Sequence, residues 1–266
     1  MVRIAAAVGG ALLMASSAMS QVPPAARSEL APTGTLRAGI NYGNAILATK
    51  DSATGQSRGV AIELTQELAR RLSVPVELVA YTSVATMVDG AKTGGWDIAF
   101  LGADPARAGE ISFTAPYLEL EATYLVPAGS PLRAIDDVDR DGVRVAAPAR
   151  AAYELFLSRS LKHAQLVRAP SSEAAIDLLA SGKVEALAGL TQGLVATLAQ
   201  VPGSRMLDGK FFAVQQAVGV PKGRDAGVQY LRGFIEEAKA SGGLVARAIE
   251  KTGFRGVSVA PKAAGP

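Results

Sequence analysis

The side chains able to do chemistry are few. There is one histidine, His163, and no cysteine. Thiol nucleophiles, thiolate metal sites and disulfides are thereby excluded together. A serine triad or a multi-histidine metal centre would rest on His163 alone, and that residue, following Lys162, reads as a solvated helix-end histidine. What remains are acids, arginines and amides gathered at turns. Asp104 and Pro105 have the chemistry of an N-cap and a first helical position, which places Arg107 in the first turn of a short helix. Asn41-Tyr-Gly-Asn44 offers a ring for stacking in Tyr42 and two hydrogen-bonding amides in Asn41 and Asn44, although Asn and Gly also suit an ordinary turn. Gln215 and Gln216 are neighbours in a strand-like stretch, so alternation sends them to opposite sides and one of them can reach a ligand. No phosphate-cradling loop, dinucleotide fingerprint, zinc-protease motif or nucleophile elbow accompanies these residues, and no cofactor or metal is implied.

Those residues sit on elements with a readable period. Leu36–Ile40 alternates as a strand, Ala61, Leu64, Leu68 and Leu72 recur at helical spacing, and Val76–Ala80 is a second strand. Val84, Met87, Val88 and Ala91 form a helical face ended by Gly94-Gly95, and Trp96–Leu101 is a short apolar strand with Trp96 read as core. The order repeats: strand Val143–Ala147, helix Ala151–Leu161, strand Gln165–Arg168, helix Ser171–Ala180, strand Val184–Ala188, helix Thr191–Ala199. Tyr153 and Phe156 read as packing for the second unit. Strand–helix alternation of this kind implies parallel sheets covered by helices, here two α/β units. Asp225–Thr252 is helical with a break at Ser241-Gly-Gly243 and has no strands of its own, so it must pack on an existing unit.

The 266 residues are 49% hydrophobic and 19% charged, which excludes a disordered chain. Met1-Val-Arg3, the apolar run from Ile4 to Ala15 and the small residues Ala18-Met-Ser20 have the layout of a secretory signal peptide cut before Gln21. That run is too short for a stable membrane span. Cleavage removes Arg3 and no acid, so 27 basic residues become 26 against 24 acids and the net charge goes from +3 to +2. With no basic run or basic–aromatic interleaving, nucleic-acid binding has no support. Residues 21–34, rich in Pro, Ala and Ser, read as a flexible tether, and residues 259–266 as a disordered tail.

Three segments together resemble the bacterial extracellular solute-binding proteins of family 3, the polar amino-acid-binding components of ABC importers. They are Arg58-Gly-Val-Ala-Ile-Glu-Leu-Thr-Gln-Glu-Leu-Ala69; Gly95-Trp-Asp-Ile-Ala-Phe100 with Pro105-Ala-Arg107 and Glu110-Ile-Ser-Phe-Thr-Ala-Pro-Tyr117; and Gly182-Lys-Val-Glu-Ala186. The resemblance runs from about residue 35 to 255 and implies a two-lobed Venus-flytrap α/β fold of the type II kind. Lobe 1 would span 35–122, completed by 216–258, and lobe 2 would be the insert 127–212. Two crossing strands near Ala122–Val126 and Ala213–Val218 would form the hinge.

The same resemblance implies that Arg107 clamps a ligand carboxylate with its planar guanidinium, with Gly102 and Asp104 in the loop beside it. The family's hydroxyl-rich loop before this arginine is here the shorter Leu101-Gly-Ala-Asp104. Its Gly-Thr-Thr helix start in lobe 2 falls at Arg150-Ala151-Ala152, where Arg150 either compensates with its charge or simply faces solvent. The acid that pairs with an α-ammonium falls at Gly189 or Leu190, followed by Thr191 and Gln192; no acid is there. Either Asp104, Glu119 or Glu121 substitutes, or the ligand lacks an α-ammonium, since a buried charge needs a partner. The reading implied is a monomeric periplasmic binding protein that delivers a small carboxylate-bearing solute to an ABC permease in the inner membrane. The alternatives are an exported enzyme resembling cyclohexadienyl (prephenate/arogenate) dehydratase, with Glu119 or Glu121 as general acid, and a sensor subunit presenting ligand to a membrane receptor.

Overall fold

The computed structural model of the chain describes residues 22–263; the expected signal peptide lies outside the described residues. In chain order the elements are α1 (Pro24–Leu30), β1 (Leu36–Asn41), the ribbon β2 (Thr49–Lys50) and β3 (Ser57–Arg58), α2 (Val60–Leu72), β4 (Val76–Tyr81), α3 (Val84–Thr93), β5 (Ile98–Gly102), β6 (Ile111–Phe113) and β7 (Leu118–Val126). Then come β8 (Arg144–Pro148), α4 (Ala152–Ser160), β9 (Gln165–Ala169), α5 (Ser172–Ala180), β10 (Ala186–Leu190), α6 (Thr191–Thr197), β11 (Arg205–Met206), β12 (Phe212–Pro221), α7 (Asp225–Lys239), α8 (Leu244–Thr252) and β13 (Val257–Val259).

The fold is α/β and two-lobed. One lobe is built on parallel β4-β1-β5 with antiparallel β12 beside β5, the other on parallel β9-β8-β10 with antiparallel β7 beside β10. β7 and β12 pair with each other, Leu118–Ala122 against Phe212–Gln216, and carry the chain between the lobes. Their partners change along their length: β7 leaves β12 and joins β10 at Ala122, and β12 leaves β7 and joins β5 at Gln216. Separate buried clusters fill the lobes, one around Leu64, Leu68, Ile98, Phe100 and Phe234, the other around Val138, Val145, Leu157 and Ala188.

Each lobe secures its sheet with the same device. Asp97, fully buried just before β5, accepts from the backbone N–H of Arg37 and from its guanidinium at 2.8 and 3.0 Å. Glu185, just before β10, takes the N–H and guanidinium of Arg144, with contacts at 2.7 Å. Asp97 also receives Arg224 at 3.1 Å, which brings the start of α7 onto lobe 1. The acids in the sequence motifs therefore hold strands, and neither is free for a ligand.

Two terminal expectations are corrected. Residues 22–34 are not a loose tether: Pro23 and Pro24 start α1, and Ala26 and Leu30, one turn apart, are buried against α7. Gly227 makes this possible, since a Cβ there would stand 3.0 Å from Leu30. Nor is 259–263 disordered: Val259 pairs with Leu118 through β13, and buried Ala260 donates its N–H to the Tyr117 carbonyl at 3.1 Å. As expected from its lack of strands, 225–252 packs its apolar stripe (Val228, Leu231, Phe234, Ile235) on lobe 1. Trp96 is core, its indole N–H on the Met87 carbonyl at 2.7 Å.

Candidate functional site

Between the lobes lies a cleft of two adjoining chambers. The inner one, about 80 Å³, is walled by the end of β1 and the loop after it (Asn41, Asn44), the end of β5 (Gly102), the middle of β12 (Gln216), Arg107, and the start of α4 from lobe 2. Arg107 is 3% exposed. Its short 3₁₀ turn starts as its sequence dictates, with Asp104 Oδ1 accepting the Ala106 N–H at 2.9 Å and Pro105 in the first position. The guanidinium donates to the carbonyl of Gly102 in its own lobe, and at 2.6 Å to the carbonyl of Arg150 in the other. Desolvation lowers its pKa to about 10, so the group remains cationic at neutral pH. It is a fixed positive charge in a low-dielectric wall, where an anion gains most.

Arg150 is the least conventional residue nearby. Its φ of 61° lies in the left-handed region, a conformation that costs a non-glycine residue roughly 1–2 kcal/mol. The twist directs its carbonyl at Arg107 and its N–H at Glu154, whose buried carboxylate also takes Arg168 at 2.7 Å. Its side chain does not face solvent alone: it reaches across to α3 of lobe 1, 2.7 Å from Asp89. Arg159 of α4 likewise crosses to Asp104 at 2.9 Å. At Gly102 the backbone of β5 lies close under α4, where a Cβ would meet the Cβ of Ala152 at 2.7 Å and Val214 of β12 at 2.9 Å. The start of α4 has no side-chain cap, and its first residues Ala152 and Tyr153 line the chamber.

The outer chamber, about 350 Å³, continues past Tyr153 and Leu190 towards α5 and α6, with Ile176, Leu187 and Leu194 as apolar lining. Gln192 projects there, 8% exposed, with neither amide atom hydrogen-bonded.

Of the residues anticipated from sequence, Arg107, Gly102, Asn41 and Asn44 line the inner chamber and Gln192 the outer one. Asn41 and Asn44 also do turn work, accepting the N–H groups of Gly43 and Ile46. Asp104 is beside the site but committed as cap and as partner of Arg159. Tyr42 is misplaced: its hydroxyl bonds Ser57 at 2.7 Å, and it lines a separate outer depression with Lys50 and Leu78. Glu121 is half-exposed at the crossing strands, paired with Lys210 at 2.9 Å. Gln215 faces away and bonds Glu119 at 3.1 Å. Its neighbour Gln216 points to the inner chamber instead, 5% exposed with Oε1 unpartnered. Sequence reading missed Tyr153, which lines both chambers, and Ser83 and Ser172. Leu190, at the expected ammonium-binding position, presents a hydrocarbon. Among the described residues, no group of three His, Cys, Asp or Glu side chains is placed to hold a metal, and no helix is long and apolar enough to cross a membrane.

Residues 36–251 match the family of bacterial extracellular solute-binding proteins, family 3. The chain belongs to this family. No curated protein is similar enough to count as a match. Among solved structures, the solute receptor for L-cysteine of Neisseria gonorrhoeae superposes with a TM-score of 0.72 at 24% identity, covering 86% of this chain and 92% of that one. A mutant of the arginine-binding protein ArgBP of T. maritima gives 0.71 at 21% identity over 85% and 98%. An ancestral amino-acid-binding protein described as a precursor of cyclohexadienyl dehydratase gives 0.69 at 24% identity over 85% and 98%. At these identities the likeness is one of fold, that of family 3 solute-binding proteins.

Proposed function

We propose that this family 3 protein captures a small carboxylate-bearing solute, an amino acid or its deaminated analogue, by closing its lobes, and hands it to an ABC permease. It would do so in the periplasm, as a monomer, after removal of residues 1–20. The observation that carries the reading is Arg107: a buried cation in the cleft wall, held by one carbonyl from each lobe. A ligand carboxylate at the remaining edge of the guanidinium would neutralise a charge that burial otherwise penalises, and its affinity would rise as the lobes exclude water. Gln216 supplies a neutral hydrogen-bonding group beside it. Of the two ligand types the deaminated one is favoured, because Leu190 stands where an ammonium would need an acid. The acids that might substitute are engaged: Asp104 with Arg159, Glu119 with Gln215, Glu121 with Lys210. Neither Glu119 nor Glu121, the general-acid candidates of the dehydratase alternative, is among the residues lining the two chambers.

The test is calorimetric titration of the purified protein with straight-chain carboxylates, 2-oxo and 2-hydroxy acids, and the matching α-amino acids. Acids without the ammonium should bind and ordinary amino acids should not. Arg107→Lys should weaken binding by about one to two orders of magnitude, since it keeps the charge but loses the planar fork, with the melting temperature confirming a folded protein. Binding of α-amino acids, unchanged by Arg107→Lys, would reject the reading.

A further inference from the structure

The outer chamber holds an unsolved chemical demand. Gln192 is buried, and both its Nε2 donor and its Oε1 acceptor lack partners. A glutamine kept only for packing would be better replaced by leucine or methionine, because a buried amide with neither end bonded destabilises the fold. None of the polar groups lining the chamber bonds Gln192: Thr197 donates to the Gly193 carbonyl, Asn44 accepts the Ile46 N–H, and Ser172 and Gln200 are exposed, while Leu187, Leu194, Ile176 and the Tyr153 ring supply hydrocarbon. The carboxylate among the lining residues, Glu173, lies on the exposed face of α5, where water screens it. This chamber adjoins the one that holds Arg107, the two sharing Asn44, Pro148, Tyr153 and Leu190 in their lining, which puts both within reach of one elongated molecule.

We propose that the outer chamber is a second ligand subsite in which Gln192 reads a neutral group that is donor and acceptor at once, a primary carboxamide or a ureido group. The solute is then a monocarboxylate with such a group at its far end and a short apolar link between. This rests on Arg107 taking the carboxylate. An amide meets Gln192 donor to acceptor and acceptor to donor, satisfying both orphaned atoms in one contact. A second carboxylate would satisfy only Nε2, and an ammonium only Oε1, each bringing an unpaired charge into apolar surroundings. A methyl group would leave both atoms as they are.

Calorimetry on the purified protein compares glutaramate and succinamate with hexanoate, glutarate and the ω-amino acid of matching length, for the native sequence, Gln192→Leu and Arg107→Ala. The amides should bind at least about tenfold more tightly than the aliphatic acid, since sites built to hydrogen-bond reject analogues that cannot. In Gln192→Leu that preference should vanish while hexanoate binds as well or better. The ligand-free melting temperature of this variant should hold or rise, because an unsatisfied amide has been removed. Equal binding of amide and aliphatic acid, a preference for the ω-ammonium, or an amide preference that survives Gln192→Leu would each overturn the proposal and leave the Arg107 reading intact. Amide binding that survives Arg107→Ala but is lost in Gln192→Leu would instead reject the carboxylate clamp and keep the subsite. No binding by any of these acids would remove both.

Discussion

At the scale of single residues, the cleft works through backbone as much as through side chains. Arg107 is gripped by two carbonyls, one of them aimed by the left-handed backbone of Arg150. Gly102 shows the same dependence, because its lack of a Cβ is what lets α4 come down on β5. In Gly102→Ala the new methyl would sit within 3 Å of both Ala152 and Val214. Overpacking of this size costs about 1–3 kcal/mol; parting of the lobes relieves the contact with Ala152, but Val214 is on β12 beside β5 and stays in place. Affinity for the solute should therefore fall by about tenfold or more and the melting temperature of the ligand-free protein should fall as well; affinity unchanged within a factor of two would show that the contact does not control closure. Such features explain what the sequence could and could not disclose. The Asp104–Pro105 cap follows from local chemistry, whereas the cleft position of Arg107 is what the family resemblance implies. The choice between Gln215 and Gln216 does not, because alternation says they point oppositely but only the pairing of β12 with β5 and β7 decides which faces the cleft. Tyr42 escapes sequence reading for the same kind of reason: its hydroxyl is held by Ser57 on the distant ribbon, which directs the ring away from the cleft.

At the scale of elements, the amphipathic helices and the repeated strand–helix order were legible because burial imposes a period on the chain. α2 buries Ala61, Leu64, Leu68 and Leu72, as that period requires. α1 was not, because its seven residues carry only two buried positions inside a Pro- and Ala-rich stretch, and its reason to fold is a groove on α7. What holds α2 to α7 can be tested by pH. Glu67 accepts Arg70 at 2.8 Å and Arg71 at 2.9 Å, while Arg71 also reaches Glu237 of α7 at 2.6 Å and lies over the Phe234 ring. Hydrogen bonding from Arg70, then from Arg71, holds the Glu67 carboxyl at about 2, below its ordinary 4.5. A depressed folded-state value means the stabilisation is complete above 4.5 and is lost as the pH falls towards 2. Thermal melts should therefore show the native protein weakening across that window, and Glu67→Gln should weaken less steeply there while being less stable at neutral pH. Parallel pH profiles would mean that the cluster contributes nothing to the docking of the helices.

At the scale of the whole molecule, side chains tie the two lobes directly to each other. Arg159 crosses to Asp104, whose side chain is 3% exposed, and Arg150 crosses to Asp89. The second pair is exposed and worth little, but losing Arg159 strands a buried carboxylate, which closed lobes keep from water. Arg159→Ala should shift the ligand-free protein towards an open form, visible as a larger radius of gyration by X-ray scattering, with the solute restoring compactness; an unchanged radius would place the closing force elsewhere. The packing of α1 has a consequence on a different axis, that of time. Glu29 accepts the N–H of Gly227 at 2.7 Å, and Arg224 donates to the Glu29 carbonyl at 2.9 Å, contacts that join residues 198 and 195 positions apart. The helix α1 thus lacks its main partner, α7, until most of the chain has emerged. Lobe 2, by contrast, draws its helices and parallel strands from one uninterrupted stretch and can assemble as soon as it is complete. Closure of such long loops carries an entropic cost and slows folding, so α1 can take its place only after α7 has been made, and lobe 1 is finished later than lobe 2.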